Sequence, residues 1–292
     1  MTMDHGHWAR GIEVENPGRI SPRMAELVLR YLLPIVRLFH RPTLEGVENL
    51  PKTGAFLLVA NHSAGMGIAE ILCILALYVR DIGPDRPLAA FALPLGFRVF
   101  PLKVALRHLG AVPSSYAAAK QTLAAGVPLL VFPGGDHETL RPIWQAHRVD
   151  LGGRLGFLRI ARETNVPIVP LGIRGSHFTA PMLLRSRLLA TLLVVPRLIG
   201  SKRWGISLLG LLGALGIALA PLPLPLRIAL IWVWLGSPLV FAPWIPWTIR
   251  LRIGAPLAPE TLFPNGDAPL EPALARVQDA MQTLVAKRAT TH

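Results

Sequence analysis

Along residues 21–39 the charged side chains Arg23, Glu26, Arg30 and Arg37 recur at steps of three, four and seven. Leu27, Val28, Tyr31, Leu32, Ile35 and Val36 cover the rest of the surface. That spacing predicts an amphipathic helix with a narrow charged stripe. Pro34 should kink it, because proline removes an N–H and crowds the preceding turn. The helix suits two placements equally, packed on a domain or lying in a membrane interface. Residues 1–40 therefore form an N-terminal helical segment, and 41–292 the main domain.

From there short apolar runs alternate with helical stretches. Residues 43–47 suggest a strand and turn, and Pro51 with Gly54 a bend. The run 55–60 has strand length and ends at Asn61-His62, while 68–79 has the length and apolar content of a buried helix. The rhythm returns in a helix at 117–124, a stop at Gly126 and a strand at 129–132 that runs into Pro133-Gly134-Gly135. A helix at 157–163 and a strand at 166–171 repeat it again. Such alternation predicts an α/β fold with a mainly parallel central sheet covered by helices. In these folds sites form on the loops at the carboxyl ends of the strands. Residues 248–253 then alternate as a strand should, and a polar helix over 271–287 closes the chain.

The stretch 205–249 departs from the rhythm, with Arg227 its only charge. Each half is roughly long enough to cross a hydrocarbon core. Pro221, Pro223 and Pro225 break its middle, and Pro238, Pro243 and Pro246 its second half. An apolar, membrane-associated hairpin, shallow or re-entrant, is the favoured reading. A lining of the soluble core and two full spans stand beside it. Trp232 and Trp234 read as interface or core aromatics.

Composition strengthens the lipid reading. Of the 292 residues 52% are hydrophobic and only 16% charged, which leaves apolar surface beyond what a core needs. The net charge of +13 comes from 25 Arg and five Lys against 17 acids, so polyanions should attract the chain. The basic residues are interleaved with Leu, Val and Ile rather than stacking aromatics, which favours an anionic membrane and gives no case for nucleic acid. The lone Cys73 sits in an apolar run and reads as a buried small hydrophobe. Residues 1–18 show no apolar signal segment. Together these place the expected protein on the cytoplasmic face of a membrane.

Several chemistries drop out. There is no Gly-x-Ser-x-Gly elbow, phosphate-binding loop, dinucleotide glycine fingerprint or paired cysteine, and the nine histidines lack metal-ligand spacing. No metal or resident cofactor is expected. What remains is Asn61-His62-Ser63-Ala64-Gly65-Met66-Gly67-Ile68-Ala69-Glu70. If the glycine loop curls back, Glu70 in the first helical turn can accept Nδ1–H of His62 and leave Nε2 to take a proton. His177, in Gly175-Ser176-His177, and His137 face either a cleft or the core.

Residues 44–54, with Leu44-Glu45-Gly46-Val47 and Pro51-Lys52-Thr53-Gly54, followed by an apolar strand and Asn61-His62-Ser63, resemble the first block of the phospholipid/glycerol acyltransferase family. Leu130-Val131-Phe132-Pro133-Gly134-Gly135-Asp136-His137-Glu138 resembles that family's third block in its Phe-Pro-Gly-Gly form, found in the branch near the diacylglycerol acyltransferases. The segment 141–157 and Val166-Pro167-Ile168-Val169-Pro170 continue the likeness. Overall it covers residues 44–175, with a looser echo at 250–256.

The resemblance implies a glycerolipid acyltransferase fold and an O-acyltransferase that moves a fatty acyl group from acyl-CoA or acyl-carrier protein to a glycerolipid or similar lipid alcohol. It makes His62 the general base and Glu70 its orienter. Asn61, Ser63, Gly134, Gly135, Glu138, Arg141, Arg148 and Arg154 become the substrate-binding or site-supporting set. Backbone N–H groups of the glycine loops are candidate oxyanion donors, each worth about 3 kcal/mol in comparable enzymes. Two departures matter. The commonest family pattern has Asp where Gly67 stands, and the Phe-Pro-Glu-Gly-Thr-Arg form that grips a lysophosphatidate phosphate is missing. The acceptor therefore stays open. A non-catalytic lipid-binding protein of the same fold, a lipid N-acyltransferase and a thioesterase are the rival readings.

Overall fold

In the strand Leu57–Ala60 every residue is buried: Leu57 and Val59 join one apolar cluster and Leu58 and Ala60 the other, so this strand lies in the middle of the molecule. The computed structural model describes residues 11–12, 16–63, 65–198, 200–264 and 269–287. Most of residues 1–18, read above for a signal, and Ala64 of the His62 loop lie outside them.

Helix α1 has three contiguous pieces, Pro22–Leu27, a π-helical turn Val28–Leu32, and Leu33–His40. The break expected at Pro34 takes the form of that widened turn, which accommodates a residue with no N–H to donate. Then come β1 (Thr43–Glu45), β2 (Leu57–Ala60), α2 (Ile68–Asp81), β3 (Ala89–Ala92), α3 (Leu102–His108), β4 (Val112–Pro113), α4 (Tyr116–Ala124) and β5 (Leu129–Val131). The short α5 (Gly135–Thr139), α6 (Gly156–Thr164) and β6 (Ile168–Arg174) follow. A second unit of structure holds β7 (Met182–Ser186), α7 (Arg187–Leu192), α8 (Val195–Leu198), β8 (Trp204–Ser207), α9 (Leu208–Leu219) and α10 (Leu224–Gly236). The chain returns through β9 (Arg250–Ile253), α11 (Pro259–Leu262) and α12 (Glu271–Ala286).

The central sheet has the order β1-β9-β6-β2-β5-β3-β4. Strands β2, β3, β4, β5 and β6 are mutually parallel, β9 pairs antiparallel to β6, and β1 is parallel to β9. The mainly parallel sheet expected from the alternation is thus formed, with helices α1 and α2 on one face and α4, α6 and α12 on the other. The five parallel strands end at a single edge, and β9 and β1 begin there, so the loops after β2, β3, β5 and β6 and the end of α1 lie on that edge.

Part of 205–249 is core rather than surface. Trp204, Val240 and Phe241 are buried with Leu140, Met182, Ala190 and Leu193 in a third apolar cluster, and Ile249 joins the main core. Most of the exposed apolar side chains of this stretch lie on the hairpin of α9 and α10, where Leu211, Leu212, Leu215, Leu219, Ile228 and Val233 are exposed; Leu239, Trp244 and Trp247 are exposed beyond it. Arg227 folds back to donate to the carbonyl of Ala218 at 2.7 Å, satisfying the end of α9. Among the described residues no helix is long and apolar enough to cross a membrane, so the reading as two full spans fails.

Candidate active site

Where β2 ends, the Asn61 side chain continues the ladder in place of a peptide. Its Nδ2 donates to the Ile173 carbonyl at 2.9 Å and its Oδ1 accepts the Ile173 N–H at 2.7 Å. This fixes the next residue, His62, against β6. The loop then turns through Gly65 and Gly67, both with left-handed φ of +67°, and Gly67 caps the start of α2. Glycine carries no Cβ penalty in that conformation.

Glu70 lies in the first turn of α2 and is completely buried. Its Oε1 meets Nδ1 of His62 in a short contact and also accepts the Ser63 N–H at 2.9 Å. Its Oε2 accepts the Ser63 hydroxyl at 3.0 Å. The Ser63 hydroxyl in turn touches that of Ser176, from the loop after β6. Three groups thus hold one carboxylate at a helix N-terminus, where negative charge is favoured. With Glu70 ionised, the Nδ1 proton lies toward it and the Nε2 lone pair is exposed. The ring stacks on Phe132, centroids 4.3 Å apart, and the side chain keeps 12% of its surface. Among the described residues Nε2 has no hydrogen-bond partner.

Behind the histidine lies a second buried carboxylate. Glu138 Oε2 accepts the His62 N–H at 3.0 Å, Oε1 accepts the Asp150 N–H at 3.2 Å, and Arg141 Nη1 stands 3.7 Å away. Burial pushes its pKa up to about 8; the Arg141 charge and the two N–H donors pull the other way, and Glu70 adds to the rise. Arg141 is itself 1% exposed. Its Nε donates to His177 Nε2 at 3.4 Å, and burial lowers the guanidinium pKa. Burial, then the Arg141 charge, pushes His177 down to about 3, so it is a neutral acceptor.

The substrate-binding set of the sequence therefore divides. Asn61, Ser63, Glu138 and Arg141 are buried and bonded to protein; they brace the histidine and do not line a surface. Gly134 is required by Glu138, since a Cβ there would meet its Oε2 at 2.2 Å. Gly135 and Arg154 are half-buried: Arg154 donates to the Pro133 carbonyl at 3.0 Å and pairs with Asp136. Arg148 is exposed and acts on Asp150 only through its charge. Two expected oxyanion donors are committed elsewhere, the Gly65 N–H to Thr139 at 2.8 Å and the Gly135 N–H to Phe132 at 3.3 Å. His137 bonds Asp150 at 2.9 Å, and Cys73 is buried and free, its thiol pushed up to about 12 by burial and by Glu70. Ser176 and the stacking role of Phe132 were not foreseen, although both lie inside motifs already singled out.

Comparisons with known proteins bear on the same region. Residues 41–174 match the model of the Acyltransferase family. An uncharacterized protein of Mycobacterium leprae is 34% identical over 181 residues, 60% of this chain and 48% of its own. One from Mycobacterium tuberculosis is 34% identical over 168 residues, 56% of this chain and 46% of its own. The chain thus spans about half the length of the curated relatives it matches. The crystal structure of the 1-acyl-sn-glycerophosphate (LPA) acyltransferase PlsC from Thermotoga maritima superposes with a TM-score of 0.51 at 21% identity, covering 90% of this chain and 81% of that one. That likeness is one of fold.

Proposed function

We propose that the chain is an O-acyltransferase acting on a lipid alcohol with a fatty acyl thioester as donor, a reading supported by the match of residues 41–174 to the model of the Acyltransferase family. The observation that carries the reading is the His62–Glu70 pair: a partly exposed imidazole with Nδ1 held by a buried carboxylate and Nε2 uncommitted, at the carboxyl edge of the sheet.

Nε2 takes the proton of the acceptor hydroxyl as its oxygen attacks the thioester carbonyl. Glu70 stabilises the imidazolium and keeps the ring in place. When the tetrahedral intermediate collapses, the C–S bond breaks and the thiolate recovers the proton from Nε2–H. Ester and free thiol are the products, and no acyl-enzyme is needed. Asn61, Ser63, Ser176, Glu138 and Arg141 are positioning residues that hold His62 and Glu70.

The donor is acyl-CoA or an acyl-carrier protein. The acceptor is a glycerolipid or a similar alcohol. The name of the PlsC relative points to 1-acylglycerophosphate, whereas the absence of the Phe-Pro-Glu-Gly-Thr-Arg segment leaves room for a less charged alcohol. The exposed α9–α10 hairpin and the charge of +13 support attachment to the cytoplasmic face of an anionic membrane. The test is incubation of the purified protein with labelled acyl-CoA and a panel of lipid alcohols and amines, with products identified by mass. Ester formation supports the reading. Amide formation alone, free fatty acid alone, or no product overturns it.

A further inference from the structure

The loop after β3 has no part in the chemistry above, yet it is built unlike an ordinary loop. Its base is anchored: Pro94, Gly96 and Phe97 are buried, and a Cβ on Gly96 would meet Leu106 at 2.8 Å. Beyond the anchor the chain turns outward, and residues 98–104 are exposed without a break. Phe100 is 75% exposed, with Leu93, Val99, Leu102 and Val104 exposed around it. Arg98 and Lys103 are exposed among them, and no Asp or Glu occurs anywhere from residue 86 to residue 135. A lone exposed Leu means nothing, but a contiguous apolar patch rimmed by charge of one sign marks an interaction surface.

Strand direction identifies the partner. The loop leaves the carboxyl end of β3, on the edge that carries His62 after β2 and Phe132 after β5. Because β1 and β9 begin at this edge, the end of α1 lies there too: Leu38 is 75% exposed, Ile35 and Phe39 are exposed, and the His40 carbonyl accepts the Ile249 N–H at 3.0 Å. The α9–α10 hairpin belongs to the segment that returns into β9. The hairpin packs on Val240 and Phe241, and Phe241 lies against Gly65 of the His62 loop, so three apolar elements from distant parts of the sequence lie toward this edge. A belt of that breadth, apolar with basic residues and no acids in the loop, fits a flat anionic lipid surface.

We propose that residues 93–107 are a bilayer-contact element distinct from the hairpin, which lays the active-site edge on an anionic membrane with Phe100 among the acyl chains and Arg98 and Lys103 among the headgroups. The lipid surface is shared with the proposed function, but the chemistry is not: a protein with no transferase activity would still dock this way.

The test labels Phe100→Cys with an environment-sensitive nitrobenzoxadiazole dye, and Leu102→Cys as a second position. The buried Cys73 thiol does not compete. The control is Lys52→Cys, exposed in the turn that precedes β2 and hence on the opposite edge. On vesicles of phosphatidylcholine with phosphatidylglycerol, fluorescence at 100 and 102 should rise about twofold or more, shift to the blue and be quenched by acyl-chain spin labels, with a weaker response on phosphatidylcholine alone. The label at 52 should stay unchanged. The response at 100 should survive, at low salt, replacement of residues 208–236 by a polar linker. Labels at 100 and 102 that stay as wet as the one at 52 overturn the proposal, as does a response lost with the hairpin. A response to added unlabelled protein or to an acidic carrier protein, but not to vesicles, assigns the surface to those partners and overturns it equally. Absence of product in the acylation panel leaves this readout intact, so the two failures are distinguishable.

Discussion

A methyl group on Gly67 would lie 1.9 Å from Cε1 of His62 and 2.4 Å from its Nδ1. Gly67 thus has two reasons to be glycine, its φ of +67° and the imidazole packed over its Cα. It also stands where the commonest pattern of the resembled family carries Asp. The carboxylate here comes instead from Glu70, three residues further on, and the bare Cα leaves the ring room to meet it.

Gly67→Ala should therefore displace His62 from Glu70 and strain the loop, a left-handed Ala alone costing about 1–3 kcal/mol. Acyl-transfer kcat is expected to fall by about two orders of magnitude or more, the size of a lost general base. Steady-state kinetics beside a thermal melt check this, and wild-type kcat in the Ala variant would refute the packing of ring on glycine.

Glu70 offers a test by charge and length. Glu70→Gln keeps the shape but loses the charge that stabilises the imidazolium, so a loss of about 10^2-fold to 10^4-fold is expected. Glu70→Asp keeps the charge but falls one methylene short and should retain partial activity. Equal rates for Gln and wild type would remove Glu70 from the mechanism.

Glu138 should leave a mark on stability. Its folded pKa of about 8 lies above the ordinary carboxylate value of 4.5, so the folded state holds a proton that the unfolded chain releases. Its contribution is full below about pH 4.5 and is lost as pH rises through about 8. Thermal melts of wild type and Glu138→Gln across this window should therefore converge or cross in favour of Gln at the alkaline end. A parallel offset at every pH would show that Glu138 does not titrate there.

Strands β2, β5 and β6, helices α2, α4 and α6 and the His62–Glu70 pair were legible in the sequence because each rests on neighbours in the chain: an apolar run or periodic stretch, or an acid one helical turn past a glycine; the short strands β3, β4, β7 and β8 and helix α3 were not read from it. Nor was the bracing legible. Asn61 bonds Ile173, 112 positions away, and Arg141 bonds His177, 36 away. An arginine in a glycine-rich loop reads as a phosphate ligand until its burial is seen. The antiparallel return of β9 was equally hidden, since Arg250–Ile253 alternates the same way in either direction. The stretch 205–249 misled at its ends, where Val240 and Phe241 have the composition of membrane residues and the placement of core.

Trimming should respect that boundary. Replacing residues 208–236 alone by a short polar linker removes the exposed apolar hairpin while leaving the third core cluster. Wild type should sediment with anionic vesicles and resist extraction by high salt, because apolar burial, at about 25 cal/mol per Å2, is not screened. The trimmed form should be released by salt, since basic residues contribute about 1 kcal/mol each only while unscreened. A wild-type protein that ignores vesicles would mean that the hairpin covers something other than lipid.

The most direct measurement is the turnover of His62→Ala, with the acyl-CoA and lipid alcohol that give product with wild type. Nε2 of His62 is the only base proposed, so ester formation is expected to fall by at least about two orders of magnitude while circular dichroism and melting temperature stay near wild type. Turnover within a few-fold of wild type in a folded His62→Ala protein would contradict the mechanism outright.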